Sequence, residues 1–156
     1  MQALKTILLV EDNPNDVELT LEALAEYRLA NDIVAVNDGE AALDYLYRRG
    51  RFAGREPMLP AVVLLDLKMP KVDGLTVLRT VKADPGLKYI PIVMLTSSRE
   101  ERDLVESYQL GVNAYVVKPV DFGQFVEAIK KLGYFWAVLN EPRPFPESER
   151  RGVNST

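Results

Sequence analysis

The sequence predicts an α/β fold in which helices cover both faces of a doubly wound, parallel sheet of five strands. Five short runs of aliphatic and β-branched residues alternate along the chain with amphipathic segments, an alternation that produces parallel sheets with right-handed crossovers. The run at 61–66 is apolar until its last residue, Asp66, which is typical of a strand buried on both faces. A chain of 156 residues suits one such domain with a short appendage.

The predicted strands lie at residues 7–10, 33–36, 61–66, 90–95 and 114–117. The alternation does not fix the order of these strands in the sheet. We expect the flavodoxin-like order 2-1-3-4-5, which suits five βα units. This order places the first and third strands side by side.

The helices between these strands begin at residues that can cap them. Asn13 stands before a proline, Asp38 and Asp73 precede the second and third helices, and Asp121 with Gln124 resembles a capping box. The fourth helix begins near residue 99. The five helices are predicted to end near residues 27, 50, 84, 110 and 132.

Two segments fall outside this alternation. Residues 48–60 contain four arginines, two glycines and two prolines, and we predict a long, solvated basic loop there. After residue 140 the chain is rich in proline and charge. We therefore predict a domain at 1–140 and a C-terminal tail at 141–156.

Composition narrows the possible functions. A net charge of −4 and a pI near 5.0 argue against nucleic-acid binding. The chain has no cysteine or histidine, which excludes disulfides, thiolate or imidazole metal sites and histidine-based acid–base catalysis. No signal peptide or membrane span is expected, and the absence of cysteine suits a cytoplasmic protein.

Acidic, hydroxyl and basic side chains stand at the ends of four predicted strands. Glu11 and Asp12 follow the first strand, Asp66 ends the third, Thr96 follows the fourth and Lys118 follows the fifth. The carboxyl ends of parallel strands share one edge of the sheet, where ligands bind. We therefore expect these side chains to lie close together.

That set of residues suits phosphoryl chemistry. Crowded carboxylates repel each other unless a cation lies among them, and oxygen ligands without histidine or cysteine favour Mg²⁺. A metal, the Lys118 ammonium and the Thr96 hydroxyl together can share the charge of a phosphoryl group. A carboxylate can accept that group covalently, and Asp66 on the central strand is the candidate acceptor.

Other interpretations remain open at this point. Each residue alone is more often a cap or a turn residue, so the hypothesis rests on their combination. No P-loop or dinucleotide-binding glycine motif is present. A phosphatase of the haloacid dehalogenase type would carry a second acid two residues after its nucleophile, where this chain has Lys68.

Four motifs resemble the receiver domain of two-component response regulators, the CheY-like family. They are Ile-Leu-Leu-Val-Glu-Asp-Asn at 7–13, Leu-Leu-Asp-Leu-Lys-Met-Pro-x-x-Asp-Gly at 64–74, Val-Met-Leu-Thr-Ser at 93–97 and Gly-x-x-Ala-Tyr-Val-Val-Lys-Pro at 111–119. The resemblance covers about residues 5–132. It implies a phosphoacceptor, not an enzyme, with self-catalysed phosphoryl transfer and slow autodephosphorylation.

The resemblance also implies roles for individual residues. Asp66 would accept phosphate from a sensor histidine kinase. Asp12, Asp66 and the backbone carbonyl of Lys68 would bind Mg²⁺, and Glu11 would complete the acidic pocket.

Three further residues would respond to the phosphoryl group. Thr96 and Lys118 would contact its oxygens, and Tyr115 would swing inward with Thr96 on activation. The bond between Lys118 and Pro119 is typically cis in this family.

The long basic segment and the aromatic residues at 134–136 are similar to features of stand-alone regulators that partner bacterial phytochromes. We expect no DNA-binding output domain after residue 140, so output would pass through the face formed by the fourth helix, fifth strand and fifth helix. Apolar residues at 135, 138 and 139 favour a homodimer through that face, with the tail crossing onto its partner. The alternatives are an interaction module that works without phosphorylation and an aspartyl-phosphate hydrolase, which Lys68 disfavours.

Overall fold

The five predicted strands form one parallel sheet in the order β2-β1-β3-β4-β5, which confirms the predicted fold. The computed structural model describes residues 6–25, 32–69, 72–112 and 114–131. The strands are β1 (Thr6–Val10), β2 (Asp32–Val36), β3 (Val62–Asp66), β4 (Ile92–Thr96) and β5 (Tyr115–Val117). The helices are α1 (Pro14–Ala25), α2 (Gly39–Tyr47), α3 (Gly74–Ala83), α4 (Arg99–Ser107) and α5 (Phe122–Lys131).

The register of the strands brings the candidate residues to one edge. Val10 of β1 pairs with Leu65 of β3, so Glu11 is level with Asp66. Asp66 in turn pairs with Leu95 of β4. The residues that follow these strands therefore project from the same carboxyl edge.

Alternate residues of the sheet build two hydrophobic layers. Leu8 and Leu65 face the layer that also contains buried residues of α2, α3 and α4, and Ile7 and Leu64 face the layer that contains α1 and α5. Every residue of β3 and β4 is buried. This explains why these two strands read as unbroken apolar runs, since both of their faces are covered.

The predicted caps are present. Asn13 accepts hydrogen bonds from the N–H groups at positions 15 and 16, and Asp38 and Asp73 accept one each at the starts of α2 and α3. At the start of α5 the backbone N–H of Gln124 donates to Asp121 Oδ1 at 2.9 Å, and the Gln124 side-chain amide donates to Asp121 Oδ2 at 2.8 Å. Each bond from a backbone N–H satisfies a helix-terminal donor that would otherwise lack a partner.

Several element boundaries differ from the prediction by one to three residues, among them the end of α2, which is Tyr47 and not residue 50. β4 begins at Ile92 and not at residue 90, because Pro91 has no N–H with which to join the ladder. α4 ends at Ser107 and not at residue 110, and Gln109 beyond it takes a left-handed backbone with φ of 52°.

The prediction of a solvated loop at 48–60 is wrong for Arg55. Its guanidinium donates to the carbonyls of Tyr45, Glu56 and Met58 and stacks 4.2 Å from the Tyr45 ring centroid. A short 3₁₀ turn, Gly50–Phe52, also orders the segment. Arg55 thus ties the insert to α2, because its planar fork can satisfy several carbonyls at once.

Among the described residues, no helix has both the length and the apolar character needed to cross a membrane. The predicted domain boundary at 140, the tail and the apolar residues at 135, 138 and 139 lie outside the described residues. Those interpretations remain predictions.

Candidate functional site

Three carboxylates meet at the carboxyl edge of the sheet. Glu11, Asp12 and Asp66 each offer one oxygen, and these oxygens lie within 4.8 Å of one another. Glu11 and Asp66 are buried, whereas Asp12 is exposed. Three carboxylate oxygens at this spacing can hold a hard divalent cation that keeps some of its own water.

The Lys118 ammonium contacts two of these three carboxylates. Its Nζ is 3.0 Å from Glu11 Oε1 and 3.2 Å from Asp66 Oδ1. It also lies 3.2 Å from Asp16 Oδ2 in the first turn of α1. The three N–H donors of the ammonium match these three carboxylates.

Burial and like charge perturb the acceptor candidate. Burial, and next the negative charge of Glu11 and a hydrogen bond shared with it, raise the pKa of Asp66 to about 7 against the lowering influence of Lys118. Burial alone would lower the pKa of Lys118, but its hydrogen bond to Glu11 and the charges of Asp66 and Glu11 raise it instead. The lysine is therefore charged at neutral pH. Its single positive charge does not balance the carboxylates around it.

The Thr96 hydroxyl is buried beside this edge. Thr96 is 0% exposed, and its Oγ1 has no hydrogen-bond partner among the described residues. A buried hydroxyl without a partner costs free energy. It is therefore a donor that an incoming anion could satisfy.

Tyr115 is the first residue of β5 and makes contacts outside the acidic cluster. Its hydroxyl donates to the carbonyl of Val112 at 3.2 Å, and the Arg102 guanidinium stacks 4.8 Å from its ring centroid. Burial, followed by the charge of Glu106, raises the pKa of Tyr115. The ring is thus engaged with α4 and the loop before β5.

Backbone packing fixes the loop after Asp66. Gly74 donates to the carbonyl of Leu67 at 2.9 Å, and a Cβ at Gly74 would overlap the carbonyl oxygen of Asp66. Only glycine allows α3 to begin this close to the strand end. The peptide bond between Lys118 and Pro119 is cis, the isomer that the resemblance led us to expect.

Two acidic residues at this edge were missed in the sequence. Asp16 binds Lys118, and Glu101 in the first turn of α4 lies 3.8 Å from the Lys68 ammonium. Both stand in the first turn of a helix that follows a strand of the sheet. That position, common to both, was the available signal, because the first turn of such a helix starts at the edge where ligands bind.

The fold and this acidic edge define an α/β signalling domain built around one aspartate. The chain belongs to the response regulator receiver domain family, whose model matches residues 7–130. Family members are regulators of two-component systems, and the chain matches the motifs from β1 to α5.

Comparison with individual proteins points to one group within the family. The response regulator Rcp1 of Synechocystis sp. is 37% identical over 132 residues, covering 85% of this chain and 88% of that protein. The structure of the bacteriophytochrome response regulator AtBRR is 64% identical, with a TM-score of 0.85, and covers 90% of this chain and 100% of that one.

Two further structures contain ligands or modifications. The phosphorylated cyanobacterial phytochrome response regulator RcpA is 42% identical with a TM-score of 0.69, covering 86% of this chain and 95% of that one. The Mn²⁺-bound form of Rcp1 has a TM-score of 0.67 at 36% identity, over 91% of this chain and 99% of that one. The chain is therefore similar to stand-alone, phytochrome-associated regulators.

Proposed function

We propose that this chain accepts a phosphoryl group from a sensor histidine kinase on Asp66, in a Mg²⁺-dependent reaction. The observation that carries the proposal is the Lys118 ammonium, 3.2 Å from Asp66 Oδ1 beside the acidic pair that follows β1. A cation on one side and metal-ligand oxygens on the other are what a carboxylate needs to receive an anionic group.

The residues present fit a divalent cation. Asp12, Asp66 and the Lys68 backbone carbonyl would hold it, and Glu11 would complete the acidic pocket around the Lys118 ammonium. A bound Mg²⁺ would offset the charge of the carboxylates and of the phosphoryl oxygens. The Mn²⁺-bound form of Rcp1 supports this assignment by similarity.

The transfer itself needs little from the protein beyond placement and charge. An oxygen of Asp66 forms a bond to phosphorus as the bond between phosphorus and the kinase histidine nitrogen breaks. The electron pair leaves with the imidazole, which then takes a proton from water. Lys118 stabilises the phosphoryl oxygens. The Thr96 hydroxyl, which has no partner among the described residues before transfer, donates a hydrogen bond to one of those oxygens.

The new bonds from Thr96 and Lys118 exist only in the phosphorylated state. They favour the conformer that makes them, and Tyr115 would move inward as Thr96 shifts. The surface that responds is the output face, which we define as α4, β5 and α5. Leu104, Tyr108 and Val117 are exposed there at 46, 45 and 48%.

The partners follow from the same assignment. The similarity to AtBRR and RcpA supports a bacterial phytochrome as the kinase, acting on this protein in the cytoplasm. A homodimer through the output face and the tail would bury its exposed apolar residues. Light scattering at micromolar concentration, with and without a phosphoryl analogue, tests the dimer, and a monomer in both states removes it.

A phosphate-affinity gel tests the central proposal. The full chain is incubated with acetyl phosphate and Mg²⁺, and wild type is compared with Asp66→Asn. We expect one slow stoichiometric modification in wild type and none in the variant. Sustained consumption of the donor would indicate a hydrolase, and no modification in wild type would indicate an interaction module that works without phosphate.

A further inference from the structure

The loop after β4 and the loop after β3 share one carboxylate, Glu101. The backbone N–H of Ser97 donates to Glu101 Oε1 at 3.1 Å, and the Ser97 hydroxyl donates to Oε2 at 2.5 Å. The Lys68 ammonium lies 3.8 Å from the same Oε2. Three donors around the phosphoacceptor edge therefore converge on one side chain.

These donors lie at the edge that receives the phosphoryl group in the proposed function. Asp66 is paired with Leu95, so Lys68 and Ser97 both stand two residues beyond that pair. The Lys118 ammonium also acts on Glu101 through its charge. Burial alone would raise the pKa of Glu101, but the two Ser97 bonds, Lys68 and Lys118 together lower it.

We propose that Glu101 is an internal competitor of the phosphoryl group, a carboxylate that occupies the Ser97 and Lys68 donors until Asp66 is phosphorylated. This inference rests on the proposed function and adds a residue that sets how readily the site accepts a dianion. The Glu101 side chain is 13% exposed, whereas that of Lys68 is 77% exposed, so the two Ser97 bonds contribute more to the competition than the Lys68 contact does. Charge-assisted bonds of this kind are stronger than neutral ones.

A purely structural role for Glu101 makes a different prediction. Ser98 caps α4, and its side chain accepts from the N–H of Glu101 at 3.3 Å, which is one half of a capping box. Glutamine serves at this position of a capping box as well as glutamate does. Glu101→Gln therefore keeps the helix start and removes only the charge.

The experiment measures binding of beryllofluoride, an analogue of the phosphoryl group, to the full chain. Isothermal titration calorimetry in excess Mg²⁺ compares wild type, Glu101→Gln and Glu100→Gln. Glu100 stands in the same helical turn, so its variant makes the same change in charge at the α4 terminus. We expect Glu101→Gln to bind the analogue about 3- to 10-fold more tightly than wild type, since exposed and half-buried charge contacts have effects of this size. Glu100→Gln should stay close to wild type.

The outcomes separate this inference from the function on which it rests. If the two variants bind the analogue with equal affinity, or Glu101→Gln binds it more weakly than wild type, the inference is overturned. The proposed function still stands in that case, provided that wild type binds the analogue. No binding in wild type overturns both. As a second readout, the Ser97 amide resonance of unliganded Glu101→Gln should move towards its position in the analogue complex of wild type, and an unchanged resonance contradicts the competitor role.

Discussion

The Lys118 ammonium reaches across the sheet to Asp66, with 3.2 Å between Nζ and Oδ1. Asp66 ends β3 and Lys118 follows β5, and β4 lies between these two strands. One cation therefore faces the carboxylates of Glu11, Asp16 and Asp66. Because one ammonium faces three carboxylates, their mutual repulsion destabilises the site unless further positive charge is bound.

Replacement of Lys118 by methionine should destabilise the metal-free protein. Glu11 and Asp66 would keep their burial and lose their cation. Breaking a fully buried pair in this way costs about 3–5 kcal/mol, and the 18% exposure of the Lys118 side chain places the expected loss at the lower end of that range. Urea denaturation in EDTA at pH 8 measures the free energy of unfolding. Lys88→Met, an exposed lysine outside the site, should stay within about 0.5 kcal/mol of wild type. An equal loss in both variants would contradict the role given to Lys118.

Magnesium should stabilise the folded protein through the acidic pocket. A ligand that binds only the native state adds about 1.4–2.7 kcal/mol at 10 to 100 times its dissociation constant. Thermal unfolding with and without saturating Mg²⁺ should show a rise in Tm for wild type that is largely lost in Asp12→Asn. Asp103→Asn on α4 is the matched control, and a rise that persists in Asp12→Asn would place the metal elsewhere.

The sequence predicted the sheet and the strand-end residues because both depend on local patterns. Asp66 ends an apolar run and Lys118 follows another, so strand order alone brings them together. The sequence analysis missed the contacts of Asp16, Glu101 and Arg55. Hydrophobic periodicity predicts helices and strands, but it does not predict which polar side chains meet across the loops. In the sequence Arg55 has no feature that separates it from a solvated loop arginine, and only the structure shows that it donates to carbonyls of α2.

The contact between Tyr47 and Asp84 should make stability depend on pH. The Tyr47 hydroxyl donates to Asp84 Oδ2 at 2.6 Å, and this bond, with the N–H of Gly86, lowers the pKa of Asp84 below its ordinary value of 3.8. A carboxylate with a lowered pKa in the folded state adds stability above its unfolded pKa and loses it as pH falls through the folded value. The stabilisation should therefore be full at pH 6 and fade below about pH 4.

Tyr47→Phe isolates that effect. Urea denaturation should show the variant less stable than wild type at pH 6, with the difference shrinking as pH falls towards the folded pKa of Asp84. Tyr89→Phe removes a hydroxyl from a ring that is 79% exposed, and it should show no such trend. If the difference in free energy of unfolding between wild type and Tyr47→Phe were the same at pH 6 and at pH 3, the hydrogen bond would not favour the ionised form of Asp84.

Thr96→Val should separate stability from function. The hydroxyl is buried and has no partner in the part of the chain that the structure describes, so replacing it with a methyl group of similar shape should stabilise the unphosphorylated protein by about 1 kcal/mol. The same change removes a donor that the phosphoryl group would use, so beryllofluoride should bind about tenfold more weakly. Denaturation in EDTA and calorimetry in Mg²⁺ measure the two effects on one preparation. Thr80 is a half-buried residue of α3 whose hydroxyl donates to the carbonyl of Thr76, and Thr80→Val should leave analogue binding unchanged. If Thr96→Val lost stability and kept its affinity, the hydroxyl would have a structural partner, and its place in phosphoryl binding would be wrong.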